Sequence, residues 1–184
     1  MIKNILKVVL VVLFSIGSLY GSGDKYPLFE MKDVDGNVVK IQALQHTLKV
    51  VGAENKIVLI EFFGYVCPPC LQTIPHLIEL KNKYKDKIEI IAIEVPMNVS
   101  APYAPSLRGK ALKKFVSQKG INYHVISDKE SYLFTDYISQ AAGWNGGIPF
   151  MMVLGKGSQV EFMQVGFVPA SALEYMMEDL SKQK

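Results

Sequence analysis

Cysteine is scarce in this chain: two residues in 184. That excludes a multi-bridge disulfide framework and a four-cysteine zinc site. Histidine supplies only His46, His76 and His124. Their positions relative to the cysteines do not follow zinc-ligand spacing, so no metal site is read. Neither sign of charge dominates. The formal net charge is +3, and it falls to +1 once Lys3 and Lys7 of the N-terminal segment are set aside. So small a balance gives no electrostatic case for binding nucleic acid. Internal repeats and low-complexity tracts are absent, which excludes a solenoid. What remains is 49% hydrophobic and 20% charged, the composition of one globular domain with a well-buried core.

The two cysteines stand together as Cys67-Pro68-Pro69-Cys70. The apolar run at 57–63 precedes them, and an amphipathic stretch at 71–84 follows. A strand that delivers a C-x-x-C pair to the start of a helix is a redox arrangement. The helix N-terminus favours a thiolate, and the second thiol is close enough to resolve a mixed disulfide. A purely structural disulfide is a poorer reading, because closing so short a loop removes little chain entropy. Two buried, inert thiols are the reading for a reducing compartment.

The N-terminus argues against such a compartment. Lys3 and Lys7 precede the apolar run at 8–14, and small residues follow from Ser15 to Gly23. This is the pattern of a secretory signal. The run is short for a membrane span, which takes about 20 apolar residues. No clean small-x-small site stands out beyond Ser15-Ile16-Gly17, so an uncleaved anchor stays open. No cysteine follows closely, which excludes a lipoprotein anchor. The reading is residues 1–23 as signal or anchor and 24–184 as the domain, on the extracytoplasmic side, where disulfides persist.

Periodicity predicts the elements of that domain. Residues 28–41 read as a hairpin turning at Asp35-Gly36-Asn37, and 43–51 as a short helix or loop. Residues 56–63 and 88–95 read as strands covered on both faces. Between them lies a helix at 67–84, with Pro68 in its first turn and Pro75 expected to kink it. Residues 98–106 read as a loop, 107–119 as a helix ending at Gly120, 123–126 as a short strand and 129–142 as a helix capped by Ser127-Asp128. A loop at 143–147, a hairpin at 150–165 and a helix at 169–181 complete the chain. This order implies a mixed sheet covered by helices.

Three blocks carry a family resemblance. The first is Val58-Leu59-Ile60-Glu61-Phe62-Phe63-Gly64-Tyr65-Val66-Cys67-Pro68-Pro69-Cys70, followed by Pro75; the second is Gly147-Ile148-Pro149 and the strand after it; the third is Val165-Gly166 and the closing helix. Over about residues 26–181 the chain resembles the exported thioredoxin-like oxidoreductases of the TlpA, ResA and CcmG types. The resemblance implies an α/β thioredoxin fold, with a central mixed sheet flanked by helices, an N-terminal β-hairpin extension and a helical insert before a cis-proline. It implies Cys67 as attacking thiol, Cys70 as resolving thiol, and Pro149 as the cis-proline facing them. Ile148 would offer its backbone to a substrate strand. Tyr65, Val66, Pro68 and Pro69 would form the active-site loop. Glu61 falls where thioredoxins carry a buried acid, and neutral there it would exchange a proton with Cys70. No cofactor is implied beyond the redox-active disulfide.

The chain departs from the pattern at three positions. Val66 replaces a common tryptophan, Thr73 stands where cytochrome-maturation types often carry an acid, and Ile148 replaces a frequent threonine.

Two prolines between the thiols remove two N–H donors from the Cys67 thiolate, and no histidine adds charge there. A less stabilised thiolate makes the reduced form less favoured and the pair a better electron donor. The expected activity is reduction of protein disulfides, apocytochrome c cysteines among the substrates, by a monomer recharged from a membrane thiol donor. A dithiol oxidase or isomerase, and a non-catalytic copper carrier on the same fold, stay open as alternatives. The eight methionines suit core packing better than copper.

Overall fold

The computed structural model describes residues 26–96 and 106–183. The segment read as a signal, and the loop at 98–106 apart from Ser106, lie outside the described residues.

Strands β1 (Leu28–Lys32), β2 (Val38–Ala43) and β3 (Leu48–Val50) form an antiparallel sheet in that order. Their alternation is visible in the burial: Phe29 and Met31, then Val39, Ile41 and Ala43, face the core, while the residues between them face out. β3 corrects the expected helix or loop. Leu48 and Val50 alternate with Lys49 and pair with Ala43 and Ile41. Three residues of alternation are too few to announce a strand until β2 offers a partner.

Asp33 organises the β1–β2 turn. Its carboxylate accepts hydrogen bonds from the backbone N–H of Asp35 at 2.9 Å and of Asn37 at 2.8 Å, and from the Asn37 side chain at 3.0 Å. His124 Nδ1 lies 2.7 Å from Asp33 Oδ2, the oxygen that also accepts from the Asn37 side chain, and the Val34 N–H donates to the Val125 carbonyl at 2.9 Å. The hairpin is therefore stitched to the main sheet. Burial alone would raise the Asp33 pKa, but the hydrogen bonds from Asn37, His124 and Asp35 outweigh it and hold the carboxyl below its ordinary value. A depressed pKa contributes stability above the unfolded value that is lost as pH falls through the folded one. Asp33→Ala is expected to cost about 2 kcal/mol in urea unfolding at pH 7. The gap to wild type should narrow in acid; an unchanged midpoint at pH 7 would show that the turn does not depend on this carboxylate.

The main sheet holds β4 (Ile57–Phe63), β5 (Ile88–Glu94), β6 (His124–Ile126), β7 (Phe150–Leu154) and β8 (Val160–Val165), in the order β6-β5-β4-β7-β8. β4, β5 and β6 run parallel; β7 is antiparallel to β4, and β8 to β7. β4 is buried along its whole length because helices and the small sheet cover both faces. Val58, Ile60 and Phe62 face the small sheet and α3 (Asp128–Ala142), where Phe62 packs near Phe134, Trp144 and Phe150. Ile57, Leu59 and Phe63 face α1 (Pro68–Tyr84), α2 (Gly109–Lys119) and α4 (Ala170–Lys182) through Leu77, Leu112, Val116, Leu173 and Met177.

α1 is continuous through Pro75. α2 ends at Gly120 with φ +66°, and α3 starts under the Ser127 cap. Between β5 and β7 lie α2, β6 and α3, the expected order of helix, short strand and helix, and β6 extends the sheet by one strand. This is the thioredoxin fold: a mixed sheet flanked by helices. No described helix is long and apolar enough to cross a membrane.

Candidate redox site

β4 ends at Phe63, and Gly64, Tyr65 and Val66 carry the chain to Cys67, the N-cap of α1. Pro68 and Pro69 occupy the first two helical positions, where a missing N–H costs little. The first helix donor is therefore the Cys70 N–H, 3.4 Å from Cys67 Sγ. The first turn holds no acid to oppose the helix dipole.

Cys67 and Cys70 are joined as a disulfide. Both are buried; Cys67 keeps 2% of its surface exposed and Cys70 none. Val66 beside them is 43% exposed, and Tyr65 is half-buried. Opposite the pair lies the loop before β7, 81 residues away in sequence. The Ile148–Pro149 peptide is cis, and the Ile148 carbonyl oxygen is 3.9 Å from Cys67 Sγ.

Glu61 is completely buried. It pairs with Ala92 on β5 and Met151 on β7, and strand alternation puts it on the face of Leu59 and Phe63, the side of the sheet that holds Cys70. Neither carboxyl oxygen has a hydrogen-bond partner. Burial pushes its pKa up to about 8, so the group is neutral through most of the physiological range. A neutral carboxylic acid on the Cys70 side of the sheet has the chemistry to give a proton to a departing thiolate and later take it back.

Three residues enter that the sequence reading passed over. Trp144, the only tryptophan, is buried in the loop ahead of Pro149. Its Nε1 donates to the Gly147 carbonyl at 2.7 Å, and its own carbonyl accepts from Ser139 Oγ at 2.8 Å. It packs against Phe62 and Phe150, with ring centroids 4.6 and 5.2 Å away. The loop that presents Ile148 is thus anchored in the core; a lone tryptophan in a glycine-rich loop just before Gly-Ile-Pro was the available signal. A Cβ at Gly147 would come within 2.9 Å of a Val165 methyl and 3.2 Å of Asn145 Oδ1, so a side chain there would have to displace its neighbours. Glu94 is a second fully buried acid, on the same face as Glu61 and opposite Phe63. One of its oxygens accepts the Leu107 N–H at 3.1 Å. Its pKa is also pushed up to about 8, chiefly by burial, with Asp128 adding and Leu107 and Arg108 opposing. Tyr123 is buried with its hydroxyl unpartnered. Both signals were a polar residue in or beside an apolar strand.

The histidines are dispersed. His46 is exposed before β3, His76 is half-buried on α1, and His124 pairs with Asp33. Among the described residues no three His, Cys, Asp or Glu side chains converge on a metal site.

A C-x-x-C disulfide at the head of a helix, with a cis X-Pro bond across from it on a thioredoxin fold, defines a thiol–disulfide oxidoreductase. The chain belongs to the AhpC/TSA family, whose profile matches residues 22–163. It is similar to the ResA-type oxidoreductases of the thioredoxin superfamily. It is 24% identical over 166 residues to the thiol-disulfide oxidoreductase ResA of Halalkalibacterium halodurans, covering 90% of this chain and 80% of that protein. A thioredoxin-family thiol:disulfide interchange protein of Chlorobium tepidum superposes with a TM-score of 0.60 at 21% identity, covering 84% of this chain and 94% of the other. StoA from Bacillus subtilis superposes at 0.56 with 15% identity, covering 81% and 95%.

Proposed function

We propose that this oxidoreductase works as a reductase of protein disulfides outside the cytoplasm, with Cys67 as the attacking thiol. The observation that carries the direction is the start of α1. Pro68 and Pro69 leave the Cys70 N–H as the first helix donor within reach of Cys67 Sγ. A thiolate with few donors is poorly stabilised, so the reduced pair gives up its electrons readily.

In the forward reaction the Cys67 thiolate attacks one sulfur of a substrate disulfide. A mixed disulfide forms and the first substrate thiolate leaves. Cys70, its proton taken by Glu61, then attacks Cys67 Sγ. The Cys67–Cys70 bond forms, and the second substrate thiolate departs; two electrons have passed to the substrate. The backbone at Ile148, beside Cys67, is placed to align the substrate strand. Recharging reverses the exchange: a donor thiolate attacks Cys67 Sγ, Cys70 leaves and takes the Glu61 proton, and the donor's second thiolate then attacks the donor sulfur of the mixed disulfide, releasing the Cys67 thiolate and an oxidised donor; Glu61 is left as the carboxylate that takes the Cys70 proton in the forward reaction.

The basic and apolar N-terminal segment supports export, as cleaved signal or retained anchor. A membrane thiol donor would supply the electrons, with monomeric protein acting on apocytochrome c cysteines among its substrates. The likeness to ResA proteins supports the reaction class.

Titration of the Cys67/Cys70 pair against a glutathione or dithiothreitol buffer tests the direction. The expected midpoint is near or below about −200 mV. A midpoint near about −120 mV, that of a strong oxidant, would assign the protein to dithiol oxidation instead.

A further inference from the structure

Of the buried polar atoms without a partner among the described residues, three belong to two neighbouring groups in the α1-facing layer of the main sheet, both carboxyl oxygens of Glu61 and the hydroxyl of Tyr123; one oxygen of Glu94, on the same face, is a fourth. The strand register explains why they share a region. Tyr123 directly precedes β6, where Val125 pairs with Ala92, and Ala92 pairs with Glu61. Tyr123 and Val125 lie on the same face as Leu59 and Phe63. The two groups are close enough for Glu61 to act electrostatically on the phenol, which burial first and this carboxyl second hold well above its ordinary pKa. Tyr123 is therefore neutral and keeps its proton as a donor.

We infer that Tyr123 is a positioning residue for Glu61, its hydroxyl donating to the carboxyl through one buried water that satisfies all three orphaned atoms. A buried polar group without a partner costs free energy, and a buried water makes about three hydrogen bonds. Donation to the carboxylate favours the ionised form, so Tyr123 sets how readily Glu61 releases its proton. This rests on the proton-exchange role of Glu61 proposed above. The other titratable groups on this face are Cys67, Cys70 and Tyr84 on α1, and Glu94, two residues beyond Ala92 on β5. The remaining neighbours, Met151 on β7, Leu112 and Val116 on α2, and Leu173 and Met177 on α4, carry no charge.

The test follows reduction of the Cys67–Cys70 disulfide by dithiothreitol as a function of pH, corrected for dithiothreitol ionisation. Wild type, Tyr123→Phe, Glu61→Gln and the double variant are compared. Wild type should lose rate as Glu61 ionises. Tyr123→Phe, which removes only the hydroxyl, should move that limb to alkaline by roughly one pH unit. The double variant should behave as Glu61→Gln alone. A packing role would leave the limb in place. An infrared difference spectrum between wild type and Glu61→Gln isolates the Glu61 carbonyl stretch, and Tyr123→Phe should raise its frequency. If that band moves while Glu61→Gln leaves the rate profile unaltered, the pairing stands and the proton-exchange role falls. If Tyr123→Phe moves neither band nor limb, or shifts the profile equally in the Glu61→Gln background, the inference is overturned.

Discussion

Cys70→Ser is expected to turn the protein into a trap that accumulates one mixed disulfide per molecule through Cys67, with turnover at the uncatalysed level. The geometry gives the two thiols unequal roles. Cys67 caps α1, keeps the little surface that the pair exposes, and lies 3.9 Å from the Ile148 carbonyl. Cys70 has no exposed surface and sits one turn inside the helix. A substrate disulfide therefore meets Cys67 first, and a serine at 70 supplies no thiol to release it. Cys67→Ser should be equally inactive yet form no adduct. Non-reducing electrophoresis and mass spectrometry of the two variants, mixed with a disulfide substrate, separate these outcomes. Adducts on Cys67→Ser and none on Cys70→Ser would reverse the assignment.

Glu61→Met should make the protein more stable while slowing its chemistry. Below pH 4.5, the ordinary glutamate value, both folded and unfolded chains hold the Glu61 proton, and pH has no effect through this group. Between there and about 8 the unfolded chain ionises while the native state keeps its proton, so stability falls as pH rises; above about 8 the loss is complete. At pH 7 the accumulated cost is about 3 kcal/mol. Methionine is similar in length, apolar and suited to packing beside Met151 and Ala92. The expected gain is about 3 kcal/mol in urea unfolding at pH 7, shrinking below about 1 kcal/mol at pH 5. Glu94 stays in place and drops out of the comparison. A gain equal at both pH values would mean that Glu61 is not held neutral by burial. An acid kept here at such a cost fits a group retained for function.

Most of the main sheet was legible because its residues repeat a local rule. Residues 57–63 and 88–94 are apolar runs between turn signals; Gly120 ends α2, and Ser127 caps α3. β3 was not legible, since three alternating residues acquire meaning only beside Ile41 and Ala43. Nor was the docking of the first hairpin, which depends on Asp33 meeting His124, 91 residues away. At the site, the cysteines, the prolines and an acid in an apolar strand could be read directly. Trp144, Glu94 and Tyr123 could not be assigned places, because nothing near them in sequence tells which face of the sheet they enter.

The sequence by itself determined the chemistry: the only two thiols, spaced to close on each other, at the boundary between a strand and a helix whose first two positions cannot donate. Those properties lie within a few consecutive residues, where bond geometry and hydrogen-bond capacity are set by residue type. The tertiary structure alone decided what surrounds the sulfurs. It brought the Ile148 carbonyl to Cys67, closed Glu61 away from water on the side of Cys70, and put the Tyr123 hydroxyl in the same layer. Strand register and the packing of both faces fix these neighbours, and they in turn set the proton affinity of Glu61, because the cost of its charge depends on everything that excludes water from it.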